Sequence, residues 1–154
     1  MLVRWLLAAV HLLAYGFALA SILRRTWALR RASVPAALRS VFRADTRWGI
    51  SALVLIVTGL MRVFGGYEKG ADYYVHEPLF HVKMGLLVLI LILEVPSMLE
   101  LMRWRASIRR GAVPNLKKAH FYARYSVIQT VLLVLMVFAA AGMARGIGLP
   151  AGAV

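Results

Sequence analysis

From Tyr125 to Ala144 the chain carries no charged side chain, and about twenty such residues are what an α-helix needs to cross a bilayer. Three further apolar runs precede this one, from Trp5 to Leu23, from Trp48 to about Phe64, and from Leu79 to Met102. Inside lipid no water satisfies the backbone, so each run has to close its own hydrogen bonds. The expectation is an all-α integral membrane protein, a four-helix antiparallel bundle forming one domain over 1–154, with spans at about 5–23, 48–64, 79–102 and 125–144. The uncharged part of the second run ends at Met61, so Arg62 is expected to snorkel outward. The "ALA" at Ala18 to Ala20 imitates a signal-peptidase site. The run around it is too long for a signal segment, and the Arg24-Arg25 pair reads as its stop.

Charge orients the spans. Seven arginines lie between Arg24 and Arg47 and seven Lys or Arg between Arg103 and Arg124, whereas residues 65–78 set Lys69 against Glu68, Asp72 and Glu77. By the positive-inside rule both basic segments are cytoplasmic and both termini lie outside. The net charge of +13 is then a matter of topology and of the lipid bilayer as partner, with no nucleic acid involved. The aromatics fit two belts, Trp27, Trp48, Trp104, Tyr122 and Tyr125 at the inner interface and Trp5, Tyr67, Tyr73 and Tyr74 at the outer one. With no cysteine in the chain, disulfides and thiolate metal sites are excluded.

Each span has a polar or small stripe at helical spacing, which marks the face that packs on other helices. The stripes run Arg4, Ala8, His11, Tyr15, Ala18, Ile22; Trp48, Ser51, Leu55, Thr58, Arg62; Lys83, Leu87, Ile90, Glu94, Ser97; and Tyr122, Ser126, Gln129, Thr130. Lys83 and Glu94 share a face but stand about 16 Å apart along the axis, so each needs a partner from elsewhere. For Lys83 these are His11, His81 or the outer acids, with snorkelling to the headgroups as the plainer reading. For Glu94 they are Arg43, Arg47 and the Ser51 hydroxyl, and a structural ion pair fixing helix register is the plainer reading. Pro96 removes a backbone donor two residues on, freeing a carbonyl.

An intramembrane histidine invites a functional reading, and His11 lies about two turns inside the first span. His120 falls on the wrong side to join it and reads as a solvated loop residue. A haem inside a helical bundle takes axial ligands from facing helices, and His11 with His81 supplies two imidazoles. Their depths differ, at about 9 Å and 3 Å, and His81 and Lys83 lie about 200° apart on an ideal helix, so Lys83 remains a second option beside His11. A metal site of His76, Glu77 and His81 is a further alternative, without a specific motif behind it.

The string "LFHVKMGLLVL" from Leu79 to Leu89 is similar to the third-helix motif of the four-helix bacterial membrane protoporphyrinogen IX oxidases, and "AAVHLLAYGFALASILRR" from Ala8 to Arg25 resembles their first helix. That resemblance implies haem b, with His11, Lys83 and His81 near it, and electrons leaving towards quinone. The whole chain more closely resembles a family of four-span bacterial membrane proteins known only as a domain of unknown function. There the likeness includes "RWGISALVLIVTGLMRVFGGYEKG" from Arg47 to Gly70, "FHVKMGL", and "MARG" at Met143 to Gly146.

The leading expectation is therefore a haem- or porphyrin-binding redox protein. His11, His81, Lys83, Arg62 and Tyr15 would bind the cofactor, His11 and His81 would ligate its metal, and Lys83 and Glu94 would be the catalytic residues, Glu94 tuning the inner half or relaying protons. The alternative is a non-catalytic small subunit packing as a homo-oligomer or in a larger membrane complex, its polar stripes serving assembly alone. A proton or metal transporter is weaker, since the chain has no repeat pair and no broken helix beyond Pro96.

Overall fold

The computed structural model describes residues 1–66, 74 and 76–147. Four long helices account for most of them: α1 (Leu2–Arg30), α2 (Leu38–Phe64), α3 (Pro78–Arg109) and α4 (Ala119–Ala144). A short 3-10 turn, Pro35–Ala37, leads into α2. All four are long and apolar enough to cross a membrane, and no strand occurs among the described residues.

The helices outrun their apolar segments at the basic end. Neither 24–30 nor 38–47 contains Gly or Pro, so nothing local stops the helix until Pro35 disfavours it in the residue before. The basic segments therefore shrink to connections at 31–37 and 110–118. Glycine supplies the stop after α3 and α4. Gly111 (φ +73°) and Gly146 (φ +69°) take the left-handed conformation just past α3 and α4. Beside them Ala112 donates to the Ser107 carbonyl and Ile147 to that of Gly142, both at 3.0 Å, which closes the last turns. α3 runs unbroken through Pro96.

Cross-helix contacts establish the topology. Arg25, late in α1, meets Asp45, early in α2, while His11 and Thr58 meet at the other ends. Trp104 packs against Tyr122 at one end of the α3–α4 pair, and Leu79 against Gly142 at the other. Neighbours in sequence are thus antiparallel. α1 packs on both α2 and α4, and α3 on α4; among the described residues α2 and α3 have hardly any close backbone approach.

The core has two apolar clusters. One, nearer the middle, gathers Ala18, Ile22, Trp48, Ile90 and Leu133. The other fills the basic end with Leu29, Leu38, Val41, Leu101, Trp104 and Tyr122 among others. Trp48, Trp104 and Tyr122 are thus buried core residues, Trp104 and Tyr122 carried into packing contacts by the helix extensions. Trp5 and Trp27 are exposed as a belt requires. Tyr74 is buried, and Tyr67 and Tyr73 lie outside the described residues.

Ala18 has no exposed surface, so Ala18→Leu should overpack the junction of α1, α3 and α4 and cost about 1–3 kcal/mol. Phe138→Leu, at a position 70% exposed, should change stability by no more than about 0.5 kcal/mol. Thermal unfolding of both variants in the same detergent checks the contrast.

Candidate functional site

The inward stripe of α1, followed three residues past Ile22, arrives at Arg25. Its side chain is fully buried, a position an arginine tolerates only when its donors and charge are answered. Both are. Nε donates to Ser126 Oγ at 3.1 Å. Nη1 donates to Asp45 Oδ1 at 3.1 Å and Glu94 Oε1 at 2.7 Å. Nη2 donates to Glu94 Oε2 at 2.8 Å and Gln129 Oε1 at 2.7 Å. The guanidinium has five N–H donors, and every one has an acceptor, with Glu94 held in the two-pronged geometry that suits arginine.

The acceptors are themselves held. Gln129 Nε2 donates to Glu94 Oε2 at 2.8 Å and to the Ile90 carbonyl at 3.2 Å. Ser126 donates to the Tyr122 carbonyl, and the Trp48 ring lies 5.8 Å from the guanidinium carbon. Asp45 Oδ2 accepts from Arg105 at 3.0 Å, and Arg105 stacks over Phe42 at 4.9 Å. Arg105 thereby closes the sparse α2–α3 seam. Two cations, Arg25 and Arg105, face two anions, Asp45 and Glu94, so the cluster is electroneutral. All four helices contribute to it, and the two apolar clusters lie on either side.

Glu94 thus pairs with Arg25 rather than with the expected Arg43 or Arg47, which are exposed, and the Ser51 hydroxyl donates to the Arg47 carbonyl instead. The reason is helical phase. Arg25 and Asp45 each continue a stripe by three residues beyond the apolar run, whereas Arg43 and Arg47 lie off that face. The Arg24-Arg25 pair is correspondingly not a simple stop, since only Arg24 is exposed. Reading each stripe past the edge of its apolar run would have found both missed residues.

The other expected site residues lie towards the opposite end. Thr58 donates its hydroxyl to the Val54 carbonyl at 2.6 Å, so at 2.7 Å from His11 Nδ1 it accepts that nitrogen's proton. A Cβ on Gly59 would stand 3.5 Å from His11 Cε1, so the ring lies close to α2. The Tyr15 hydroxyl donates to the Leu133 carbonyl at 2.6 Å, tying α1 to α4. Lys83 and Arg62 are half-buried, and each has an interaction partner. His81 is exposed, with Nδ1 donating to the Glu77 carbonyl at 3.1 Å. His76 is exposed too, while the Glu77 side chain is buried. These three do not gather into a metal site, and among the described residues no group of three or more His, Cys, Asp or Glu does.

Residues 3–148 match the family described as predicted membrane protein (DUF2214). No curated protein and no solved structure matches the chain.

Arg25→Met should leave Asp45 and Glu94 without their shared cation and cost on the order of 3–5 kcal/mol. Arg25→Lys should also be costly, because an ammonium cannot span the same acceptors. The double variant Arg25→Met/Glu94→Met should lose much less than the sum of the two single changes. Arg24→Met should stay within about 0.5 kcal/mol of the parent. Unfolding of these four variants together with Glu94→Met in one detergent reads the set, and additive losses in the double variant would contradict the pairing.

Proposed function

The chain belongs to DUF2214, a family of predicted membrane proteins, and from that premise we propose that it is a haem- or porphyrin-binding redox protein whose ligand lies towards the bundle end opposite Arg25. The observation that carries this reading is the orientation of two imidazoles. His11 commits its Nδ1 proton to Thr58 and His81 commits its own to the Glu77 carbonyl. A histidine that ligates a metal commonly gives its other ring proton to such an oxygen, which fixes the tautomer and turns Nε2 to the metal. The donor set therefore fits a haem b in the first requirement, an anchored imidazole.

In this reading His11 is the primary ligand, with His81 or Lys83 completing the set. Lys83 and Arg62 hold the anionic propionates, and Tyr15 positions α1 through Leu133. Haem supplies one-electron chemistry when bound, with quinone as the acceptor. Glu94 acts only through Arg25, as a positioning residue. The orientation belongs to the same proposal: both termini outside, the basic end cytoplasmic, in a bacterial inner membrane.

A second reading, a non-catalytic subunit of a homo-oligomer or larger complex, is favoured by the Arg25 cluster. All five donors of Arg25 are satisfied within one chain, which is what assembly alone demands. Absorption spectra of the detergent-purified protein, oxidised and then reduced with dithionite, separate the two. The redox reading expects a Soret band with sharp reduced α and β bands, and their loss in His11→Ala. Protein from cells supplied with haem precursor that shows no visible absorbance supports the subunit reading.

Orientation has its own test, because the chain lacks cysteine and accepts single probes cleanly. A cysteine placed at Ser33 or Asn115 should resist a membrane-impermeant maleimide in intact cells, and one placed at Leu2 should react. The reverse pattern would invert the topology.

A further inference from the structure

Beside the core stripe of α1 runs a second, outward line of residues with a different composition. Val10, Leu13 and Phe17 from α1 and Ile50 and Val54 from α2 line a groove of about 760 Å³ along the α1–α2 seam. Small residues keep it open: Ala14, Ala20 and Ser21 on one side and Ser51 on the other. At its basic end stand Arg24 and Arg47. Both are exposed, and neither forms an ion pair with a carboxylate among the described residues. Their neighbours in sequence, Arg25 and Asp45, have used the nearby opposite charge on each other.

A groove apolar along its length and doubly cationic at one end matches an amphiphile with an anionic head and a long tail. Length narrows this further. From Arg24 to Val10 the groove follows α1 for about 21 Å, whereas one leaflet's hydrocarbon is about 15 Å deep. A headgroup phosphate at the two arginines therefore leaves room for a full acyl chain beside Phe17, Leu13 and Val10. The geometry points to a binding site for one anionic phospholipid from the leaflet at the basic end. Arg24 and Arg47 hold its phosphate, and the α1–α2 groove holds one of its chains. The groove's inner end, at Val10 and Val54, reaches the level of His11, but the phosphate site lies at the opposite, basic end and does not depend on the redox reading.

Native mass spectrometry of the full chain in mild detergent, doped with either dioleoyl phosphatidylglycerol or dioleoyl phosphatidylcholine, tests it. A basic residue near a membrane surface is worth about five-fold in attraction for anionic lipid, so Arg24→Gln/Arg47→Gln should lower retained phosphatidylglycerol about thirty-fold. Arg39→Gln/Arg43→Gln removes equal charge from the same end of α2 but outside the groove, and should leave retention unchanged. Ala20→Phe fills the groove with both arginines intact and should also expel the lipid, which keeps the test open if the double arginine variant fails to fold. Glycerol phosphate, the head without its tails, should not displace the lipid.

Equal retention of the two phospholipids would overturn the proposal. So would an equal loss in Arg39→Gln/Arg43→Gln, since the effect would then be general surface charge. Displacement by glycerol phosphate alone would reduce the site to a phosphate contact and would likewise overturn it.

Discussion

A guanidinium shut away from water has to find five acceptors and a matching negative charge, and no single helix can offer them. Arg25 finds them on α2, α3 and α4. Satisfying it therefore sets the axial register of all four helices at once, because sliding any of them by one turn, about 5.4 Å, would strip acceptors from a buried cation. Apolar packing alone is permissive here, since lipid tails are as apolar as the side chains they would replace. The polar cluster makes one arrangement distinct.

The rest of the bundle is arranged around that requirement. Above and below the cluster, apolar side chains exclude water and raise the value of each hydrogen bond. At the basic end the helices continue beyond the lipid-length runs and pack Trp104, Tyr122 and Leu38 into a second core. There α2 and α3 meet mainly through a side chain: Arg105 reaches Asp45, the Phe42 carbonyl and Thr46 across the seam. Because Asp45 is shared by both arginines, the seam and the central cation are coupled.

The two halves of the molecule consequently differ in kind. The Arg25 cluster is closed, with its charges balanced internally. In the half containing His11, Tyr15, Lys83 and Arg62 single contacts tie the helices, His11 to Thr58 and the Tyr15 hydroxyl to the Leu133 carbonyl. The groove along α1 and α2 is a third environment, facing outward with two cations at its mouth. One helix, α1, serves all three, through Arg25, His11 and Arg24, because residues a few positions apart point to different sides of a helix.

Sequence alone determined the membrane class, the four helices and most of the inward faces. Run length and 3.6-residue spacing are local properties, and Ala18, Ile22, Ser51, Thr58, Ile90, Ser97, Ser126 and Gln129 were all legible as core positions that are buried in the fold. It also showed that Glu94 needed a partner from another helix, since Lys83 on its own helix is out of reach. Only the tertiary structure decided which partner. Arg24 and Arg25 are identical in chemistry and adjacent in sequence, yet one lines a groove and the other is the centre of the bundle. The difference is one 100° step around α1 together with the phase at which α2, α3 and α4 meet it, and that phase is a relation between helices which no single run of residues contains.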